Sequence, residues 1–151
     1  RKKHKRAIQD YNKALSLDPH NAFALNNRGV SFSELGKYTK ALNDFTKLIN
    51  QNKNAAIAYV NRADTFKKMR SFDMALSDLQ GAIRLNPRLP EAHLSKGLIY
   101  AELKRYDLAI ENFTHALELN PASTSAHQSR CKAYVLTRDK RSFEKHCRDN
   151  P

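Results

Sequence analysis

Residues 90–123 read PEAHLSKGLIYAELKRYDLAIENFTHALELNPAS, and the pattern of apolar residues in this segment predicts the fold. Its apolar side chains recur at the spacing of one helix face, since Ala109, Phe113 and Ala116 are at i, i+4 and i+7. A short polar break separates this face from an earlier apolar segment. The stretch therefore predicts two amphipathic helices joined by a turn. Its defining positions are His93, Gly97, Tyr100, Tyr106, Ala109, Phe113, Ala116 and Pro121.

The same kinds of residue recur every 34 positions along the chain. One series consists of alanine and another of bulky apolar residues. The two series are Ala7, Ala41, Ala75, Ala109 and Tyr11, Phe45, Leu79, Phe113. A single helix pair cannot bury both of its apolar faces, so the units are predicted to stack on one another.

Glycine and proline mark the interior and the end of these helices. Gly29 and Gly97 lie inside first helices, where glycine costs about 1 kcal/mol relative to alanine. We expect the missing side chain to let the second helix approach closely, against Ala41 or Ala109. Proline ends the second helices, because it lacks an amide proton and disfavours helical geometry in the residue before it. The pairs that do so are Asp18-Pro19, Asn86-Pro87 and Asn120-Pro121.

These positions resemble the tetratricopeptide repeat (TPR) family. The pattern Leu25, Gly29, Phe32, Gly36, Tyr38, Ala41, Phe45 carries the resemblance, and residues 90–123 carry it again. The resemblance implies an all-α fold, a right-handed α-solenoid of antiparallel helix pairs. One array over 1–151 is expected, and because the sequence has no initiator Met we expect a piece of a longer protein. Its parts are a second helix at 1–21, full repeats at 22–55, 56–89 and 90–123, and a degenerate or capping repeat at 124–151.

The net charge of +12 is unevenly distributed. Residues 1–21 hold six basic and two acidic residues, and residues 124–151 hold seven and three, so each end carries +4. The repeat at 90–123 has three basic and five acidic residues and is net negative. The surplus therefore lies towards both ends and suggests an acidic partner that is steered electrostatically.

No spacing of residues indicates catalysis, a cofactor or a metal. The four glycines form no phosphate-binding loop, and His146 beside Cys147 lacks two further ligands for a metal. We therefore predict a protein that is not an enzyme. Two cysteines, Cys131 and Cys147, are too few for a disulfide framework. They favour a reducing, intracellular compartment, which is the cytoplasm or the nucleus, and no apolar run is long enough for a membrane span.

In stacked repeats the first helices line a concave groove, and positions 34 apart line it in register. Asn27 and Asn61 are the strongest candidates, because a carboxamide can satisfy both polar groups of a peptide unit. They look like two rungs of the asparagine ladder in the O-linked N-acetylglucosamine transferase repeats, and Ser95 breaks that series. The predicted peptide-binding groove consists of Asn27, Asn61, Asn26, Phe23, Val30, Asp64, Lys67, Ser95, Leu98 and Lys132.

The function predicted from these features is a scaffold that binds a peptide segment of a partner protein. A clamp for chaperone C-terminal tails, known in this family, is not expected, because Asn26, Val30 and Glu91 replace the residues it needs. Nucleic-acid binding through the basic ends is the alternative, which the acidic third repeat disfavours. A targeting region of a larger enzyme is a further alternative. Self-association is another alternative, through apolar surface that the end repeats leave uncovered.

Overall fold

The computed structural model describes residues 2–148, and this part of the chain contains nine helices and no strand. The helices are α1 (Lys2–Leu17), α2 (Ala22–Glu34), α3 (Tyr38–Gln51), α4 (Ala56–Lys68), α5 (Phe72–Leu85), α6 (Pro90–Glu102), α7 (Tyr106–Leu119), α8 (Thr124–Thr137) and α9 (Lys140–Cys147). The predicted all-α class is confirmed. First helices begin at residues 22, 56, 90 and 124, which are 34 residues apart.

The helices form two compact units, residues 1–85 with α1 to α5 and residues 86–151 with α6 to α9. Within each unit, helices that follow one another along the chain pack together. The first helices α2 and α4 also touch in the first unit, as do α6 and α8 in the second. Each unit thus contains two stacked antiparallel helix pairs, and in the first unit the single helix α1 packs against α2. None of the described helices is long and apolar enough to cross a bilayer.

The helix ends follow from local chemistry. α1, α5 and α7 end at Leu17, Leu85 and Leu119, one residue before the predicted Asp-Pro or Asn-Pro pairs. At the starts of α2 and α8, the side chains of Asn21 and Ser123 accept hydrogen bonds from backbone amides in the first turn. These caps satisfy amides that have no partner inside the helix.

The turn inside each repeat needs one residue in the left-handed region. Gly36 has φ +74°. The residues one, two and three periods later, Arg70, Lys104 and Arg138, have φ 58° to 60°. The sequence pattern alone shows glycine only once at this position, yet the backbone conformation is the same in every repeat. The geometry of the repeat therefore overrides the preference of the individual residue.

The two helix glycines allow the second helix to approach, as predicted, but the residue that fills the space is different. A Cβ atom at Gly29 would lie 2.8 Å from the ring of Phe45, and one at Gly97 would lie 2.6 Å from the ring of Phe113. Ala109 contributes only its carbonyl oxygen, at 3.2 Å from the Gly97 position. The aromatic ring sixteen residues downstream, rather than the small alanine, therefore requires the glycine.

Candidate functional site

The first unit carries a polar cleft on its first helices, α2 and α4. Its volume is about 170 Å³. It brings together four of the predicted groove residues, Val30, Asn61, Asp64 and Lys67. Because α2 and α4 are related by the 34-residue period, side chains at equivalent positions lie side by side there. The remaining lining residues are Ser33, Glu34, Phe45 and Lys68.

One of the amides that line this cleft, Asn61, is joined directly to the amide of Asn26. Asn61 donates from Nδ2 to Oδ1 of Asn26 across a distance of 2.8 Å. Asn27 instead donates to the carbonyl oxygen of Phe23, one turn earlier in its own helix, at 2.9 Å. The amide next to Asn61 in space is therefore Asn26 rather than its period mate Asn27. All three side chains are half-buried and reach the surface.

The charged residues of the cleft compensate one another. Lys67 Nζ lies 3.3 Å from Oδ1 of Asp64, and Lys68 Nζ lies 2.6 Å from Oε1 of Glu34. The hydrogen bond from Lys68 holds the pKa of Glu34 below its usual value. Two cations and two carboxylates leave these four side chains without net charge, so this cleft alone would not select an acidic peptide.

Phe23 is a large apolar group at the start of α2. Its side chain is exposed, with 73% of the residue surface accessible. Its ring meets the ring of Tyr11 from α1 edge-on, with 6.4 Å between the ring centroids. An exposed aromatic ring held by a second ring offers a rigid apolar anchor for a ligand.

The second unit has a larger, more apolar cleft of about 380 Å³. Leu98 of α6 and Lys132 of α8, both predicted groove residues, line it. Ser95 does not, because only 6% of its surface is exposed. Ala101, Glu102, Tyr106, Phe113, Ser129, Ala133 and Leu136 complete the lining.

Four family models match the chain in succession. Tetratricopeptide-repeat descriptions cover residues 24–55, 56–89 and 90–123, and a TPR-repeat description covers residues 1–36. The chain belongs to the tetratricopeptide repeat family. The resemblance inferred from Gly29, Tyr38, Ala41 and their period mates is thereby confirmed.

Solved structures of TPR proteins resemble the chain over most of its length. The crystal structure of MamA is 27% identical, covers 92% of this chain and 81% of its own, and has a TM-score of 0.77. The first TPR of Spaghetti (RPAP3), bound to the HSP90 peptide SRMEEVD, is 25% identical over 80% of this chain and 96% of its own, with a TM-score of 0.72. TTC0263, a thermophilic TPR protein in Thermus thermophilus, is 21% identical over 97% and 84%, with a TM-score of 0.80, and shows the fold alone. A search of curated proteins found no match.

A second set of side chains recurs with the TPR period and went unrecognised in the sequence. Arg28 binds Asp44 with two hydrogen bonds of 2.7 and 2.8 Å, and Arg62 binds Asp78 in the same way, with two bonds of 2.8 Å. Asp78 raises the pKa of Arg62. Each arginine also reaches a side chain sixteen residues upstream: Asn12 for Arg28, Thr46 for Arg62 and Thr114 for Arg130. These arginines tie consecutive helices together. The signal in the sequence is the 34-residue spacing of Arg28 and Arg62, with Arg130 two periods after Arg62.

The two cysteines correct the sequence analysis. Cys131 of α8 and Cys147 of α9 form a disulfide, whereas the sequence was interpreted as holding reduced thiols. The pair removes the argument for a reducing compartment. His127 lies beside it, with Nδ1 3.8 Å from Sγ of Cys131. The sequence places only His146 beside Cys147, whereas the packing of α9 against α8 brings His127 next to both cysteines.

Proposed function

We propose that this TPR chain is a non-enzymatic scaffold that binds an extended segment of a partner protein in the polar cleft of α2 and α4. The family and the peptide-bound RPAP3 neighbour support the general role of a protein-interaction scaffold. The observation that carries the finer proposal is the amide pair of Asn26 and Asn61, of which Asn61 lines the cleft.

Two side-chain amides joined by one hydrogen bond still have one NH2 donor and one oxygen acceptor for a ligand. The bond uses Nδ2 of Asn61 and Oδ1 of Asn26. Nδ2 of Asn26 can then donate to a peptide carbonyl, and Oδ1 of Asn61 can accept from a peptide amide. Main-chain recognition of this kind binds an extended segment with little dependence on its side chains. Phe23 supplies apolar contact area at the same end of the first unit.

The compensated charges refine the expected chemistry of the partner. Lys67 and Lys68 are paired with Asp64 and Glu34, so the cleft contributes little electrostatic preference. A preference for acidic partners then arises from basic residues outside the cleft, and it affects the rate of association more than the affinity.

The proposal does not extend to the peptide that RPAP3 binds. The positions at which this family clamps a chaperone carboxylate are occupied here by Asn26, Val30, Glu91 and Ser95, and only Asn61 matches. Glu91 would repel a carboxylate. We therefore expect the peptide SRMEEVD to bind far more weakly to this chain than a peptide selected for it.

The test is selection from a phage-displayed library of random linear peptides with the 151-residue chain. Selected peptides are then measured against the double variant Asn26→Ala with Asn61→Ala, which removes both partners of the internal hydrogen bond. Loss of two ligand hydrogen bonds of about 1 kcal/mol each predicts affinity lower by roughly tenfold or more, with little change in melting temperature. Asn27→Ala alone measures the contribution of the neighbouring amide.

A matched control is Asn43→Ala with Asn50→Ala, which removes two exposed amides from the second helix α3. The control should bind the selected peptides as the wild-type chain does. Equal affinity of the wild-type chain and the Asn26/Asn61 variant for every selected peptide would exclude the polar cleft as the binding site.

A further inference from the structure

The last repeat has cysteines at two positions that are in contact in two of the full repeats. There the helix glycine faces the aromatic residue sixteen positions later, as Gly29 faces Phe45 and Gly97 faces Phe113; the repeat 56–89 has Ala63 and Leu79 instead. One period after Gly97 and Phe113, the corresponding residues are Cys131 and Cys147. The repeat register therefore brings these two sulfur atoms together, and the disulfide between α8 and α9 is one outcome of that register.

His127 adds a third ligand-type group to the pair. It lies one helical turn before Cys131 on the same face of α8. The ligand atoms of His127, Cys131 and Cys147 all lie within 4.8 Å of one another. Among the described residues, no other group of three or more histidine, cysteine or acidic side chains has this arrangement.

The hydrogen bonding of His127 sets its tautomer. Nε2 lies 2.8 Å from the backbone carbonyl oxygen of His146. A carbonyl oxygen can only accept, so Nε2 carries the proton. In the neutral ring Nδ1 then has the lone pair, and Nδ1 is the atom that faces Cys131 Sγ at 3.8 Å. Metal-binding histidines are commonly held by such a bond from the second nitrogen to a backbone carbonyl.

We propose that Cys131, Cys147 and His127 form a three-ligand site for a zinc-type divalent cation when the cysteines are reduced. A tetrahedral zinc ion has Zn–S distances of about 2.3 Å and Zn–N distances of about 2.0–2.1 Å, which place sulfur and nitrogen roughly 3.5 Å apart. The 3.8 Å separation of His127 Nδ1 and Cys131 Sγ is close to that value. Water supplies the fourth ligand.

The disulfide and the metal site are alternative states of the same residues. A low-molecular-weight thiol reduces the disulfide, which takes up two electrons and two protons and leaves two cysteine thiols, while the reductant becomes a disulfide. Zn²⁺ then displaces both thiol protons and binds the two thiolates and Nδ1 of His127. Two thiolates and one divalent cation carry no net charge. Arg130 and Lys145, one and two residues before Cys131 and Cys147 in the sequence, therefore do not oppose the loaded site, and cations close to a cysteine favour its thiolate form.

The proposal is tested with Co²⁺ alone as a spectroscopic probe for the 151-residue chain. The chain is reduced with a phosphine, freed of reductant under nitrogen and titrated. We expect one Co²⁺ per chain, with a near-ultraviolet thiolate-to-cobalt charge-transfer band that disappears on addition of Zn²⁺. The oxidised chain should show no such band. Cys131→Ser and Cys147→Ser should each abolish it.

His127→Ala should weaken Co²⁺ binding by more than about tenfold. The matched control is His93→Ala, which changes the residue at the same position of the preceding repeat and should leave Co²⁺ binding unchanged. Folding is checked by far-ultraviolet circular dichroism, and the smaller change His127→Gln is the second variant if His127→Ala loses helix. Absence of the charge-transfer band in the reduced wild-type chain would overturn the proposal. So would equal Co²⁺ affinity of folded wild-type and His127 variants.

Discussion

Single glycines in this chain have opposite roles, depending on what lies beside them. A Cβ atom at Gly97 would lie 2.6 Å from the Phe113 ring, which is fully buried and cannot move aside. A Cβ atom at Gly81, inside α5, would meet only the Tyr59 ring at 3.7 Å, an ordinary contact. The cost of glycine in a helix is thus compensated by packing at Gly97 and not at Gly81.

We expect Gly97→Ala to lower the free energy of unfolding by about 1–3 kcal/mol, the range for overpacking a close-packed core. Gly81→Ala, the matched control, should raise it by about 0.5–1 kcal/mol, because alanine is the better helix former. Urea unfolding of both variants measures the two changes. Stabilisation by both substitutions would contradict the close packing of Gly97 on Phe113.

His93 makes the stability of the second unit depend on pH. Its burial, followed by the neighbouring His115, lowers the pKa of its imidazole. The unfolded chain, with a histidine pKa of about 6.5, then binds more protons than the folded chain as the pH falls. The contribution of neutral His93 to stability is therefore complete above about pH 6.5 and is lost as the pH falls through the lower, folded-state pKa.

We expect the free energy of unfolding of the wild-type chain to fall more between about pH 7.5 and about pH 5.5 than that of His93→Gln. The histidines that do not interact with His93 are present in both chains, so their contributions cancel in the difference; the coupling of His93 to His115 is part of the effect that is measured. Urea titrations at the two pH values measure it, with circular dichroism confirming that both chains are folded at the start. An equal fall in both chains would show that protonation of His93 does not lower the free energy of unfolding.

At the scale of the helices, the Arg–Asp pairs decide how the two helices of a repeat are held. Asp44 on α3 has only 2% of its side chain exposed, and Arg28 on α2 has 17%. Removing one partner leaves the other charge largely buried and uncompensated, which costs more than the pair itself contributes. If Asp44 is removed, the hydrogen bond from Arg28 to Asn12 compensates only part of the lost stabilisation.

We expect Asp44→Ala to lower the free energy of unfolding by about 2–4 kcal/mol. The double variant Asp44→Leu with Arg28→Met, which removes both charges, should recover most of that loss. Glu111→Ala, at an exposed position of α7, is the control and should change stability by less than about 0.5 kcal/mol. If Asp44→Ala were as mild as the control, Arg28 and Asp44 would not hold α2 and α3 together.

The helices were predictable from the sequence because periodicity and proline depend on local chemistry. Leu85 ends α5 where Asn86-Pro87 had indicated. The hydrogen bond between Asn61 and Asn26 was not predictable from the sequence. The 34-residue period shows which positions are equivalent, but it does not show which neighbouring side chains are in contact. The net charge of a repeat does not reveal the Arg28–Asp44 pair, because the two opposite charges cancel in the sum. Cys131 and Cys147 occupy the positions that Gly97 and Phe113 have one repeat earlier. Because Gly97 and Phe113 are in contact, the contact between the two cysteines follows from the repeat.

Two features of the chain could select a partner: its net positive charge and its clefts. The net charge of +12 predicts measurable attraction to any polyanion at low salt. Yet the described cleft of the first unit has compensated charges, and residues 90–123 are net negative. Nucleic-acid recognition by helical repeats requires polar base contacts and basic backbone contacts in each repeat. This chain lacks that continuity.

We therefore expect single-stranded RNA to bind weakly and without sequence preference, with a dissociation constant of about 10⁻⁴ M or weaker near physiological salt. Affinity should fall steeply with added salt, because binding depends on release of counterions from phosphates. Fluorescence anisotropy with a labelled RNA over a salt series measures both. Replacing Lys2, Lys3 and Lys5 by Gln should reduce the salt slope, whereas Asn26→Ala with Asn61→Ala should not change RNA binding. Tight, salt-resistant RNA binding that depends on Asn26 and Asn61 would instead assign the cleft to nucleic acid and remove the peptide as its ligand.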